Sequence, residues 1–290
     1  MSDLAVTVKE ALSRARKRLM DGGADSPALD AEVLLAYVTG LDRAGLYRDL
    51  ANVLAPGEEA VFSALVARRR AGEPVAYLTG RKEFMGLEFI VNRFVLIPRP
   101  ETELLVEAAA RLSPAPSLIV DVGTGSGAIA VSLAVLVPEA VVYATDRSFE
   151  AIETARLNAY LHGAGQRVLF FQGDLLAPLS GLDLAGRVDL VTANLPYIPT
   201  KDLPALPRDV RLFEPPSALD GGADGLDLYR RLIPMAAGIL KPGGTLLMEI
   251  GCGQREAAAG LLQPPLREAA VLKDLAGRDR MVIGSKTSGG

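Results

Sequence analysis

The sequence predicts an α/β protein, a doubly wound, mostly parallel sheet preceded by a small helical bundle, and three observations carry that prediction. From about residue 104, short apolar runs at 118–122, 141–145, 168–172, 188–193 and 245–250 alternate with helical stretches. Alternation of that kind marks βα units whose parallel strands are buried on both faces. The first run feeds a glycine loop, Gly123-Thr124-Gly125-Ser126-Gly127, that opens an apolar helix. Before residue 75 the apolar residues recur only at helical spacing.

Taken in order, Leu4, Val8, Leu12, Ala15 and Leu19 form one helical stripe, with the basic run from Arg14 to Arg18 largely off it. Asp21-Gly22-Gly23 ends this helix, and Ser26-Pro27 supplies a cap and a first-turn proline for the next. That second helix is expected to use Leu29, Val33, Leu34, Tyr37 and Val38. A third starts at Pro56-Gly57 and turns Val61, Phe62, Leu65 and Val66 inward. Residues 1–75 therefore read as a helical domain. Residues 76–97 read as a β-hairpin linker turning at Gly86, 98–284 as the sheet domain, and 285–290 as a disordered tail. Between hairpin and sheet, Ile97-Pro98-Arg99-Pro100-Glu101-Thr102-Glu103 is stiff and charged. Pro100 and Thr102 suit a helix start there, and Arg99, Glu101 or Thr102 could stand at the mouth of a site.

Composition excludes several classes. With 290 residues and 49% hydrophobic content the chain can bury a sizeable core. No apolar run is long enough for a membrane span and no secretory signal is visible, so a cytoplasmic protein with no membrane partner is expected. Cys252 and His162 are single, which rules out an intrachain disulfide and leaves no metal site to expect. His162 reads as a helix-terminal surface residue. The net charge of −4 gives no bulk attraction to nucleic acid, so no stable nucleic-acid binding is expected. The basic runs at Arg14–18 and Arg68–70 read as solvated helix faces, with contact to a phosphate-rich or acidic partner as the minority reading.

The chemistry is expected where the fourth apolar run ends on Asn194-Leu195-Pro196-Tyr197. In open α/β sheets, ligands bind at the carboxyl ends of the strands. An Asn side-chain carbonyl and the next main-chain carbonyl can both accept from an NH2 group, while a Tyr ring lies against a flat acceptor. Such a loop aims a nitrogen whose lone pair is tied up in resonance. Asp146, ending the second strand, suits the hydroxyls of a ribose, and Gly173-Asp174 can reach an adenine amino group. The glycine loop alone also fits a dinucleotide site. Together with the Asn-x-Pro-Tyr loop it points to S-adenosylmethionine.

These motifs resemble the HemK/PrmC-type methyltransferases, which act on the glutamine amide of the Gly-Gly-Gln motif of peptide chain release factors. The resemblance covers nearly the whole chain. Residues 96–103, 121–130, Glu214-Pro215, the glycine-rich stretch 220–227, and Glu249-Ile250-Gly251 with Gln254 carry it, beyond the general loops. It implies a Rossmann-like methyltransferase domain and an N-terminal domain that recognises the protein substrate. It also implies S-adenosylmethionine as cofactor, class I release factors as partners, and transfer to the glutamine side-chain nitrogen. By motif, Gly123, Thr124, Gly125, Ser126, Gly127, Asp146, Asp174, Leu175 and Asn194 resemble the cofactor positions, and Asn194, Leu195, Pro196 and Tyr197 the catalytic loop. The family usually has proline where Leu195 stands, so Leu195 is expected to cost some preorganisation and Leu195→Pro to raise the rate. An adenine-N6 methyltransferase acting on DNA or RNA is the alternative, since a base amino group poses the same lone-pair problem. A nicotinamide-dependent oxidoreductase and a non-catalytic adapter are weaker readings. A monomer is the default expectation.

Overall fold

The computed structural model describes residues 6–287. Leu4 and residues 288–290 of the expected tail lie outside the described residues. The chain divides into two compact units, residues 1–81 with 207–213, and residues 82–206 with 214–290.

The first unit is helical, with α1 (Val8–Asp21), α2 (Pro27–Thr39), α3 (Arg43–Arg48), α4 (Pro56–Arg70) and α5 (Val75–Thr79). Thr7 and Glu10 form a reciprocal cap that fixes the start of α1. The core gathers Val8, Ala15, Leu19, Leu34, Leu35, Leu46, Phe62, Leu65 and Val66. Two expectations fail here. On α2 the buried side carries Ala31, Leu34 and Leu35, while Leu29 and Tyr37 are exposed, and on α4 Val61 is also exposed. Nor is the basic run at 68–70 simply solvated. Arg69 pairs with Asp30 at 2.7 Å with both side chains nearly buried, and Arg68 pairs with Glu73. The helices continue past residue 75 through α5.

The second unit begins with the hairpin β1 (Arg81–Phe84) and β2 (Leu87–Ile90). Met85 and Gly86 at its tip both have positive φ, which suits the tight turn. Phe84 and Phe89 are buried in the core of this unit with Leu105 and Ile119, so the hairpin is part of that core rather than a free linker. There follow α6 (Pro100–Ala110), β3 (Leu118–Val122), α7 (Ala128–Leu136), β4 (Val141–Asp146), α8 (Phe149–Leu161), β5 (Val168–Gln172) and β6 (Val188–Ala193). After α9 (Arg208–Phe213), which belongs to the first unit, come α10 (Asp227–Ile239), β7 (Leu240–Glu249), α11 (Arg255–Gly260), β8 (Leu266–Lys273) and β9 (Asp279–Lys286).

The seven-stranded sheet runs β5-β4-β3-β6-β7-β9-β8. The first five strands are parallel, and β9 and β8 add antiparallel to that edge. The final strand overturns the disordered tail at its start. Ser285 pairs with Thr245, and Lys286 Nζ donates to the carbonyls of Ala237 and Leu240 at 2.7 Å each. Because β4 lies on one side of β3 and β6 on the other, the strand order reverses between β3 and β6. A crevice opens at the carboxyl ends of such a pair, and these ends carry Gly123 and Asn194. No helix among the described residues is long and apolar enough to cross a membrane.

Candidate active site

The register that pairs Val122 with Ala193 sets the glycine loop directly beside the 194–197 loop. Gly123 has φ +75°, a conformation that disfavours any side chain, and a Cβ built there would stand 2.8 Å from Leu195 Cδ2, so glycine lets the two loops close without displacing Leu195. Behind them, buried Asn158 donates to the Ser126 carbonyl at 2.8 Å and fixes the far side of the loop.

A cavity of about 500 Å3 lies over these strand ends. Gly123, Thr124, Gly125, Ser126, Asp146, Asp174, Leu175, Asn194, Leu195 and Pro196 line it. Gly127 and Tyr197 do not. Gly127 instead caps α7 with φ +81°, tight against Ala155. Asp146 ends β4 and accepts from the Gly125 and Ser148 N–H groups at 2.9 Å each. Burial raises its pKa, opposed by those N–H groups. Asp174 is ion-paired with Arg231. Leu175 is held at φ +48°, a conformation that leucine adopts only under constraint from its surroundings.

The residues present fit S-adenosylmethionine. The cavity has the size of a small-molecule site. Thr124 Oγ1, on its wall, is buried without a hydrogen-bond partner, and the space where a Gly125 Cβ would point is open. Below the wall, Asp121 is fully buried and burial pushes its carboxyl up to about 6, although Thr124 and Thr192 favour the charged form. Thr192 Oγ1 donates to Asp121 Oδ1 at 2.8 Å, while Thr124 stands beside the carboxyl short of hydrogen-bond geometry.

The 194–197 loop is held from several directions. Asn194 Nδ2 donates to Thr102 Oγ1 at 3.0 Å, which directs Oδ1 away from Thr102. Thr102 is buried in the first turn of α6 and lies beside Glu249, the last residue of β7. Glu249 is 2% exposed, and burial pushes its carboxyl up to about 7 against the pull of Thr102, Tyr197 and Arg280. Its Oε1 accepts from Tyr197 OH at 3.2 Å, and its Oε2 is buried without reaching hydrogen-bond geometry. The Tyr197 phenol is itself raised, chiefly by burial and then by Glu249. Gln254 Nε2 donates to the Tyr197 carbonyl at 2.8 Å and the Asp224 carbonyl at 3.0 Å, while its Oε1 accepts from Gly251 N.

The glycine-rich stretch closes the other side. Ile198 N donates to Leu219 O and Gly221 N to Ile198 O. Gly225, at φ +84°, would place a Cβ 2.1 Å from the Tyr197 carbonyl oxygen. Arg99 pairs with buried Glu214, whose other oxygen accepts from Ile97 N, so Glu214-Pro215 anchors the stiff 97–103 segment. Glu249 and Gln254 are thus supports for the 194–197 loop and Glu214 for the 97–103 segment, roles sequence reasoning did not give them. Tyr229 was missed altogether. His162 Nε2 lies 2.9 Å from the Glu88 carbonyl at the end of α8, with its ring tilted on Phe89, consistent with a helix-terminal residue.

The chain is similar to known proteins along nearly its whole length. Residues 10–80 match the PrmC N-terminal domain model and residues 119–213 a methyltransferase domain model. Over 282 residues the chain is 51% identical to the release factor glutamine methyltransferase of Moorella thermoacetica, covering 96% of this chain and 98% of the relative. It is 44% identical over 279 residues to that of Geobacter sulfurreducens, covering 96% of each. A crystal structure of a methyltransferase from Pyrococcus furiosus shares the fold at a TM-score of 0.54 and 16% identity, covering 78% of this chain and 98% of that one. Identity at this level along nearly the full length of both proteins, with matching models in both units, means that the chain belongs to the release factor glutamine methyltransferase family.

Proposed function

We propose that this chain transfers a methyl group from S-adenosylmethionine to the side-chain amide nitrogen of the glutamine in the Gly-Gly-Gln motif of class I release factors. The observation that carries the reading is the convergence of Thr102, Glu249, Gln254 and Gly225 on residues 194–197 at the edge of the cavity. Supports of that number suit a loop whose work is aim.

When bound, S-adenosylmethionine supplies an electrophilic methyl group on a positively charged sulfur. Gly123 and Gly125 allow close approach to the main chain, Asp146 takes the ribose hydroxyls, and Asp174 and Leu175 border the adenine. Asn194 Oδ1, turned outward by the Thr102 bond, accepts one amide proton of the glutamine, and the Leu195 carbonyl accepts the other. Held by both N–H bonds, the nitrogen presents its face to the methyl group. Tyr197 acts from behind, its hydroxyl fixed on Glu249 rather than facing the cavity. As the N–CH3 bond forms, the broken C–S bond would leave its electron pair on the sulfur, and the methylated nitrogen gives up one of the two protons held by Asn194 Oδ1 and the Leu195 carbonyl, which passes on to solvent. A strong base is not required, because a protonated amide nitrogen is very acidic. One copy of the chain supplies every residue named, which supports a monomer, and action on translation factors supports a cytoplasmic site of work.

Incubation with labelled S-adenosylmethionine and an intact class I release factor tests the reading, beside the same factor with its Gly-Gly-Gln glutamine replaced and beside DNA. Label on the intact factor alone is expected. Label on DNA, or on the replaced factor, would overturn it.

A further inference from the structure

We propose that Tyr229 is a positioning residue for the transfer, acting through the main chain of Leu195; the inference rests on the reading of residues 194–197 as the acceptor loop. Tyr229 lies on α10, fully buried. Its hydroxyl oxygen accepts from Leu195 N at 3.3 Å, donates to the Glu249 carbonyl and stands 3.3 Å from the Ala193 carbonyl. A phenol has one proton to give. With the Glu249 carbonyl taking that proton, the oxygen lone pairs are left to receive the Leu195 N–H. One hydroxyl therefore ties together the end of β6, the end of β7 and the residue next to Asn194. Burial raises the phenol's pKa well above its ordinary value, so the proton stays in place.

Leu195 is where this tie matters. Its carbonyl is the second acceptor of the proposed mechanism, and no ring locks its φ. Two other constraints hold it. Its side chain is 4% exposed and packs where a Gly123 Cβ would otherwise stand, and its N–H is held by Tyr229. A proline at 195 has no N–H to give. The expectation that Leu195→Pro raises the rate is therefore reversed, because the substitution exchanges a ring constraint for the loss of both the bond and the packed side chain.

The test combines amide exchange with kinetics on three backgrounds. In 15N-leucine-labelled protein, Tyr229→Phe is expected to speed exchange of the Leu195 amide about fivefold, the equivalent of one ordinary hydrogen bond. In single-turnover transfer to a class I release factor, Tyr229→Phe is expected to lower the rate about fivefold more on wild-type and Leu195→Ala backgrounds than on Leu195→Pro. KM for the factor and Kd for S-adenosylmethionine should move less than about twofold on any background. Alanine keeps the N–H and proline removes it, so a coupling that survives Ala and vanishes in Pro identifies the bond. A purely structural tyrosine would lower the rate by one common factor on all three backgrounds, and that result would overturn the proposal. Unchanged Leu195 exchange, or faster exchange with an unmoved rate, would do the same. Should Tyr229→Phe fail to fold, Leu195→Pro alone is expected to be about fivefold slower than Leu195→Ala, and equal rates would overturn the idea. If no release factor is methylated the acceptor assignment fails, while the exchange measurement still decides whether Tyr229 holds Leu195.

Discussion

Glu249 is a carboxyl buried among groups that only partly compensate it. Burial pushes its pKa up to about 7, with Thr102, Tyr197 and Arg280 favouring the charged form and Glu101 opposing them. An acid whose pKa is higher folded than unfolded binds more protons when folded, so its stabilising share is complete below the unfolded pKa. It is lost as pH rises through the folded value. The window runs from the ordinary value of 4.5 to about 7, a difference on the order of 3 kcal/mol. Glu249→Gln removes the titration and can still accept from Tyr197. Melting curves of both proteins at pH 5 and pH 8 should show the variant gaining on the wild type at pH 8. Parallel pH profiles would mean that Glu249 is ionised without penalty. At the same scale, Thr102→Val keeps the volume and removes the partner that orients Asn194. It should lower kcat about tenfold with little change in Kd for S-adenosylmethionine; a normal kcat in a stopped assay would show that Asn194 does not need Thr102.

Among the elements, the loops after β6, before α10 and after β7 behave as one assembly. Gly225 marks how tightly they fit, since its Cβ would overlap the Tyr197 carbonyl and approach Gln254 Nε2 to 2.4 Å. Gly225→Ala is expected to destabilise the protein by roughly 2 kcal/mol or more and to lower transfer far more than cofactor affinity. Denaturant titration with a binding titration checks both, and a stable, active variant would show the contact to be loose. Strands β3 and β6 were legible because two-sided burial leaves uninterrupted apolar runs, and β5 because its run is apolar although it lies at the sheet edge with only Val168 buried. Strands β8 and β9 were not, because at the antiparallel edge charged Arg267, Glu268, Asp279 and Arg280 break the pattern. The helices α3 and α5 span 6 and 5 residues, too few to display a period.

At the scale of the molecule, each unit has its own hydrophobic core, and residues 207–213 return the chain to the helical unit shortly after the 194–197 loop. The cofactor wall and the loop could be placed from sequence because each glycine or Asn-Pro element sits at a strand end. The supports could not, since Thr102, Tyr229 and Glu249 come together only through folding across separations of 92, 34 and 52 residues from their partners in the loop. A tyrosine in the amphipathic α10 looks like any other core residue until its hydroxyl is seen on the main chain. The central claim is that the 194–197 loop supplies rate by aiming the acceptor nitrogen, and Asn194→Ala tests it most directly. Single-turnover methyl transfer to a class I release factor should be measured together with Kd for S-adenosylmethionine. The account predicts a rate lowered about 100-fold or more with Kd changed only severalfold. Near-normal transfer by Asn194→Ala, or a loss of rate matched by an equal loss of cofactor binding, would contradict it.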